Sequence, residues 1–243
     1  MKVLFDLDKK MDYATKEAFN RFKTNLRFCG QDKKAIAITS CGENEGKSSI
    51  SRSLAIANAE DGKKVLVIDA DMRKSVWAGE IEFEGDMDEN SVKGLSHYLS
   101  GQANIEDIIY SSNIEGFDLL IAGPVPPNPS GLLEQVEFRK LVEYARERYD
   151  LVIIDLPPLG MVIDAAIAAR YSDGAIILVE AFEVKQQIAA EVKKQLEVSG
   201  CEVLGVVLNK VPRVTKGYYN KYYNGYYNGY YNRYYSAYEK YGK

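Results

Sequence analysis

Short, almost wholly apolar segments recur along this chain, and residues with helical spacing separate each from the next. The apolar segments are AIAITS (35–40), KVLVIDAD (64–71), FDLLIAG (117–123), DLVIID (150–155), GAIILVE (174–180) and EVLGVVLN (202–209). The segments with helical spacing are 12–28, 48–61, 132–149, 164–170 and 185–198. Strands buried on both faces read as continuous apolar runs, and helices connect parallel strands. The pattern therefore predicts an α/β fold whose mostly parallel sheet is covered by helices on both faces.

Two stretches between these elements carry weaker signals. Residues 73–90 are polar and rich in glycine and glutamate, so we expect a surface excursion there. Residues 94–110 predict two short helices, because their apolar residues recur at helical spacing.

The composition changes abruptly near the C-terminus. Twelve of the 18 tyrosines lie between Tyr218 and Tyr241, in repeats of the form YYN-(K/G/R). From Val214 onward five basic residues and one acidic residue give a net charge of +4, so the preceding residues carry −8 of the chain's total of −4. A segment with so few aliphatic residues cannot bury a core, and we expect it to be disordered on its own. The sequence predicts one domain over 1–213 and a tyrosine-rich tail over 214–243.

Composition excludes several classes of protein. No apolar run reaches the roughly 18 residues that a transmembrane helix needs, and the N-terminus lacks the apolar core of a secretory signal. Three cysteines and the single histidine, His97, are too widely spaced for a zinc site or a disulfide framework. A reducing cytoplasm is the expected location.

The segment CGENEGKSS (41–49) lies between an apolar strand and a helical segment. It is a near-match to the phosphate-binding pattern G-x-x-x-x-G-K-[ST], with Cys41 in place of the first glycine. In such a loop backbone N–H groups surround a phosphate, the lysine reaches its oxygens and the hydroxyl binds Mg²⁺. The alternative is a glycine turn that merely begins a helix. The residues predicted to contact a nucleotide are Gly42, Glu43, Asn44, Glu45, Gly46, Lys47, Ser48 and Ser49.

Acidic residues end two of the predicted strands. Asp69 and Asp71 end the run VLVIDAD, and Asp155 ends LVIID. The carboxyl ends of parallel strands share one edge of a sheet, where ligands bind. Each aspartate alone could be a turn or capping residue, but three on the edge that carries a phosphate loop favour a site for magnesium and phosphate.

These motifs resemble those of the bacterial tyrosine kinases of capsular and exopolysaccharide synthesis. ENEGKSS, VLVIDADMRK and YDLVIIDLPP correspond to that family's Walker A, A′ and B boxes, and a terminal tyrosine cluster accompanies them. The stretches TNLRF (24–28), GLSHYLSG (94–101) and GPVPPNPSGLL (123–133) agree as well. The resemblance implies a doubly wound P-loop NTPase fold and the cofactors ATP and Mg²⁺.

The resemblance also implies roles for individual residues. Lys47 and Ser48 would bind phosphate and Mg²⁺, and Asp71 and Asp155 would hold the metal and its waters. Asp69 or Asp71 would accept the proton of the attacking tyrosine, whose free pKa of about 10 keeps it protonated at neutral pH.

Two further residues have less specific roles. Arg73 follows the A′ aspartates and could stabilise charge on the transferring phosphoryl group, or it could be a surface ion-pair residue. Asn209 ends the last predicted strand, where related ATPases bind adenine.

The tail tyrosines are the expected acceptors of phosphate, with transfer between subunits. They are Tyr218, Tyr219, Tyr222, Tyr223, Tyr226, Tyr227, Tyr230, Tyr231, Tyr234, Tyr235, Tyr238 and Tyr241. The resemblance further implies a transmembrane adaptor (a polysaccharide co-polymerase) that anchors and activates the kinase at the inner face of the plasma membrane, and a cognate tyrosine phosphatase. An excised kinase domain of a longer chain would look the same.

The segment 12–28 departs from the family pattern. The family carries E-x-x-R-x-x-R here and uses it to form ring-shaped oligomers, whereas this chain has Glu17, Asn20 and Lys23, with Arg21 one position out of place. Lysine keeps the charge but not the bidentate geometry of arginine. Both a homo-oligomeric ring and a simple packing helix remain open.

Two other functions compete with a tyrosine kinase. A nucleotide-gated ATPase of the septum-positioning type would carry an additional lysine in its loop, but Gly42 occupies that position. A tyrosine-rich module that stacks on bases or sugars would leave the phosphate loop without a purpose, so we expect no nucleic-acid partner.

Overall fold

A computed structural model describes residues 2–6, 13–30, 32–85 and 92–212 of the chain. Within them, nine strands form one sheet. The strands are β1 (Lys2–Phe5), β2 (Ala35–Ser40), β3 (Val65–Asp69), β4 (Ile81–Phe83), β5 (Tyr110–Ser112), β6 (Phe117–Leu120), β7 (Leu151–Asp155), β8 (Gly174–Glu180) and β9 (Val203–Asn209).

The sheet has the order β4-β1-β5-β6-β3-β7-β2-β8-β9. From β6 to β9 every neighbouring pair is parallel. Antiparallel pairs occur between β5 and β6 and between β1 and β4, while β1 and β5 are parallel. The carboxyl ends of β2, β3 and β7 therefore lie side by side at one edge of the parallel region.

Helices cover both faces of the sheet. Successive residues of β7 point to opposite faces: Ile153 packs in a cluster with Phe19 and Leu54, and Ile154 packs in another cluster with Phe138. The helices are α1 (Tyr13–Phe28), α2 (Lys47–Ala59), α3 (Leu95–Leu99), α4 (Pro129–Leu133), α5 (Val136–Arg148), α6 (Asp164–Ala169) and α7 (Gln186–Val198). The predicted fold class, a doubly wound and mostly parallel sheet of the P-loop type, is confirmed.

Every predicted strand is present, with small shifts at its ends. The single helix predicted over 132–149 is wrong, because α4 ends at Leu133, Gln135 is extended (φ −68°, ψ 154°) and α5 begins at Val136. In the segment 94–110 the second predicted helix is only a 3₁₀ turn at Ile105–Asp107, and a strand begins at Tyr110.

The surface excursion predicted over 73–90 is wrong for its middle part. Trp77 has no exposed area and begins a 3₁₀ turn that ends at Gly79. β4 follows and pairs with β1, and an ion pair of 2.7 Å between Arg52 and Glu80 ties this stretch to α2. Tertiary pairing thus anchors a segment whose composition resembles that of a surface loop.

The chain divides into one compact unit over Met1–Asn209 and a second unit over Lys210–Lys243. The predicted tail over 214–243, with all of its acceptor tyrosines, lies outside the described residues. Among the described residues, no helix combines the length and apolar character needed to cross a membrane.

Candidate nucleotide site

The loop between β2 and α2 contains two residues in the left-handed region. Asn44 has φ 58° and Gly46 has φ 95°, which glycine adopts without strain. A Cβ atom on Gly46 would also collide with the side-chain amide nitrogen of Asn209. Glycine is therefore required at the point where α2 begins, and the first N–H groups of a helix have no intrahelical partners and attract anions.

Glu45 holds this loop in place through its buried side chain. Its carboxylate accepts hydrogen bonds from the backbone N–H groups of Gly42 at 2.5 Å and Glu180 at 3.3 Å. Its backbone oxygen accepts a hydrogen bond of 2.8 Å from the Asn209 amide. Burial raises the pKa of Glu45 above its usual value, against the lowering effect of these backbone donors. The loop is thus tied to the ends of β8 and β9, a function that the sequence pattern did not predict for Glu45 or Asn209.

Two carboxylates face each other at the ends of neighbouring strands. Asp69 and Asp155 are register partners at the ends of β3 and β7, and both are buried. The Asp69 carboxylate accepts hydrogen bonds from the Asp71 backbone N–H at 3.2 Å and from the Ser75 hydroxyl at 2.5 Å. Burial and then the charge of Asp155 raise the pKa of Asp69 well above its usual value.

Asp155 connects the phosphate loop to the strand ends. Burial raises its pKa to about 6, and the hydrogen bond from the Trp77 indole opposes that rise, together with the nearby Ser48 hydroxyl and the charge of Lys47. The indole N–H donates to Oδ2 of Asp155 at 2.7 Å. Oδ1 of Asp155 is buried and accepts no hydrogen bond from the described part of the chain.

These donor groups fit a magnesium ion. Mg²⁺ is a hard cation that prefers carboxylate and hydroxyl oxygens and usually keeps phosphate and water among its ligands. The buried, unpartnered Oδ1 of Asp155 is such an oxygen within the described residues, and the Ser48 hydroxyl lies beside the same carboxylate. Lys47, Ser48, Asp69 and Asp155 thus meet at one edge of the sheet, as the sequence predicts.

Asp71 lies at the more exposed side of this group. Its Oδ1 accepts the backbone N–H groups of Arg73 at 3.2 Å and Lys74 at 3.0 Å, which fixes the turn after β3. The Lys74 ammonium group forms an ion pair of 2.6 Å with Glu43 in the phosphate loop. The A′ segment therefore contacts the loop directly through two exposed charged side chains.

Arg73 forms an ion pair, but its partner is buried. The guanidinium group donates to both oxygens of Asp164, at 2.6 and 3.1 Å, and to the Ser130 hydroxyl at 3.2 Å. Burial would raise the pKa of Asp164, but hydrogen bonds from Arg73 and Ser130 hold it below its usual value. The cluster fixes Arg73 at the edge of the site.

Sequence reasoning missed three residues of this region. Trp77, Ser130 and Asp164 reach the site only through tertiary contacts. A single tryptophan within a polar stretch was the one available signal, because a large apolar side chain is seldom left exposed.

The comparisons with known proteins agree with this geometry. Residues 33–197 match the AAA domain family. The tyrosine-protein kinase CpsD of Streptococcus agalactiae serotype Ia is 43% identical over 214 residues, which cover 87% of this chain and 90% of that protein.

Solved structures distinguish the two P-loop alternatives. The kinase domain of the Escherichia coli tyrosine kinase ETK has a TM-score of 0.75 and 32% identity, over 84% of this chain and 79% of that one. The septum site-determining protein MinD of Pyrococcus horikoshii, solved with Mg-ADP, is more distant, with a TM-score of 0.61 and 25% identity over 74% and 72%. The fold binds a nucleotide, and the kinase interpretation is favoured over the septum-positioning one. The chain belongs to the AAA domain family and, within it, to the bacterial tyrosine-protein kinases.

Proposed function

We propose that the chain transfers the γ-phosphoryl group of ATP to tyrosine hydroxyls, chiefly those of its own tail. The observation that carries this proposal is Oδ1 of Asp155, which is unpartnered among the described residues and belongs to a carboxylate beside the Ser48 hydroxyl. A nucleotide on the loop 41–48 would bring its phosphates to this point. Twelve tail tyrosines supply acceptors in the same chain.

The nucleotide would be bound from several sides. Ser48, Asp155 and Asp71 would hold Mg²⁺, which when bound neutralises charge on the phosphates. Lys47 would bind the β- and γ-phosphate oxygens. The amide nitrogen of Asn209 is used by the loop, so its amide oxygen is the group that would accept a hydrogen bond from the adenine amino group.

Asp71 is the better placed of the two candidate bases. Asp69 has no exposed area and both of its oxygens already accept hydrogen bonds, whereas Asp71 is partly exposed. In the transfer step the tyrosine oxygen bonds to the γ-phosphorus, the bond to the bridging oxygen breaks, and ADP leaves. The phenolic proton moves to the Asp71 carboxylate. Arg73, held beside this turn by Asp164, would stabilise charge on the transferring group.

The setting of this reaction follows from the family resemblance. We propose that the chain acts in capsular or exopolysaccharide synthesis, at the inner face of the plasma membrane, where a transmembrane co-polymerase anchors and activates it. Transfer would occur between subunits of a homo-oligomer, and a cognate tyrosine phosphatase would reverse it.

Replacing Lys47 tests the proposal at its most specific residue. Lys47→Met should abolish tyrosine phosphorylation without unfolding the chain, because it removes the charge that faces the phosphate oxygens. Lys140→Met is the matched control, since that lysine is exposed on α5 and forms an ion pair of 3.8 Å with Glu137. Both variants are incubated with Mg·ATP, and phosphotyrosine is measured. A folded Lys47→Met chain with near-normal phosphotyrosine would refute the kinase proposal.

A further inference from the structure

Trp77 is a buried side chain whose polar atom points at the nucleotide edge of the sheet. Its indole N–H donates to Oδ2 of Asp155 at 2.7 Å, and both residues are buried. A phenylalanine would fill the same core region without bringing an N–H group that needs an acceptor. The acceptor found is a carboxylate that also neighbours Lys47 and Ser48 at the start of α2.

The indole ring is held on several sides. Phe5 of β1 contacts it edge to face, with ring centroids 6.3 Å apart at an angle of 77°. The turn that Trp77 begins is fixed by the Arg52–Glu80 ion pair on one side and by the pairing of β4 with β1 on the other. The donor therefore approaches Asp155 from a fixed direction.

This contact leaves the two oxygens of Asp155 in different states. Oδ2 is occupied by the indole, and Oδ1 is buried with no partner among the described residues. A carboxylate is planar, so fixing one oxygen also fixes where the other lies. Two residues earlier, the Ser75 hydroxyl donates to the neighbouring Asp69 in the same manner. One short segment thus supplies a neutral donor to each of the two facing carboxylates.

We propose that Trp77 is a positioning residue, which orients Asp155 through its indole N–H so that the second carboxylate oxygen is presented to the magnesium ion of the bound nucleotide. The inference rests on the proposed function for the role of Asp155 as a metal-binding residue. Groups that hydrogen-bond to metal-binding side chains typically change metal affinity about 10- to 100-fold when they are removed.

The chain contains a single tryptophan, so biosynthetic replacement alters position 77 alone. Benzothienyl-alanine has nearly the shape of tryptophan but carries sulfur in place of the N–H group. We expect the Mg²⁺ concentration at half-maximal ADP binding, measured by calorimetry, to rise about tenfold. The KM for ATP at saturating Mg²⁺ should stay within about twofold of the native value, because the substitution weakens binding of the metal and not of the nucleotide.

Fluorotryptophan at the same position retains the N–H group and should restore the native Mg²⁺ dependence. Equal Mg²⁺ dependence in the benzothienyl and unmodified chains would overturn the proposal, and so would an equal loss in the fluorotryptophan chain. Because ADP binding needs no phosphoryl transfer, a chain that proved not to be a kinase would still give a clear result here.

A second measurement uses the unmodified full chain and so does not depend on whether the analogue folds. One tryptophan gives one indole N–H resonance in an NMR spectrum. We expect this resonance to shift when Mg²⁺ is added to the ADP-bound chain, because the metal withdraws electron density from the carboxylate that accepts the bond. An indole resonance that is the same with and without Mg²⁺ would overturn the proposal.

Discussion

Two like-charged side chains lie at the ends of neighbouring strands, with no access to water. Asp69 is fully buried and Asp155 nearly so, and they are register partners. Burial disfavours the ionised form of each carboxyl and raises its pKa; the charge of Asp155 adds to the rise at Asp69, and the charge of Asp71 adds to the rise at Asp155. A protein retains such a pair at a cost in stability when its chemistry needs the charges.

We therefore predict that Asp69→Asn stabilises the folded chain while reducing activity. The pKa of Asp69 is raised in the folded state, so the stability that it contributes is present below its unfolded pKa and is lost as pH rises through the folded value. The asparagine variant avoids this loss. Its free energy of unfolding should exceed that of the native chain by about 1–2 kcal/mol at pH 7, and by less at pH 4.

Urea unfolding at the two pH values measures this difference. Glu143→Gln is the control, because Glu143 is an exposed acid of α5 that pairs with Arg139. An Asp69→Asn chain that is less stable than the native chain at pH 7 would show that the carboxylate is structural.

At the residue scale, the sequence predicts positions better than contacts. The pattern around Lys47 and Ser48 is local, so the sequence by itself places both side chains at the start of α2, where they are found. The contact of Trp77 with Asp155 joins residues 78 positions apart, and no local pattern encodes it. The sequence predicts Glu45 only as part of a nucleotide loop. For the same reason it could not predict that the Glu45 carboxylate contacts the backbone of Glu180.

At the scale of elements, α1 is held to the end of α2 by charged contacts. The Lys23 ammonium group donates to the Ala57 backbone oxygen and to Asp61, each at 3.0 Å, and Arg27 pairs with Asp61 at 3.2 Å. Lys23 occupies the last position of the family's oligomerisation pattern, but here it is engaged within the chain. Its side chain is only 11% exposed, so these bonds are partly shielded from water.

We predict that Lys23→Met lowers the free energy of unfolding by about 1 kcal/mol, since it removes two charge-assisted hydrogen bonds but keeps the aliphatic stem. The matched control is Arg21→Met on the same helix, where the side chain is 57% exposed and pairs with Glu17 at 3.5 Å. That change should cost less than about 0.5 kcal/mol. Equal losses in chemical unfolding would show that the contact with α2 contributes nothing.

Long elements could be predicted from the sequence and short ones could not. The strands at 35–40 and 174–180 are apolar over most of their length, and their predicted and observed bounds agree. β4 and β5 have three residues each, too few to show a period, and they form because neighbouring strands pair with them. Apolar spacing continues across Gln135, so periodicity alone could not reveal the break between α4 and α5.

At the scale of the whole molecule, charge separates the body from the tail. The tail from Val214 carries +4 and the preceding residues carry −8. Opposite charges favour the approach of a tail to the body of another copy. Each phosphate added would make the tail more negative by about 1.5 to 2 charges, which would weaken that attraction. This asymmetry supports the proposal that the tail is a substrate.

The most direct test mixes two chains that are each incapable of complete autophosphorylation. One is the chain without residues 214–243, which should bind ATP normally because every proposed nucleotide contact lies at or before Asn209. The other is full-length Lys47→Met, which keeps the tail but should not transfer phosphate. After incubation with Mg·ATP, mass spectrometry locates phosphate on peptides of the Lys47→Met chain. The account predicts phosphotyrosine between Tyr218 and Tyr241 only when the truncated chain is present. The account would be contradicted if phosphotyrosine between Tyr218 and Tyr241 were absent both from the mixture and from the unaltered chain under the same conditions.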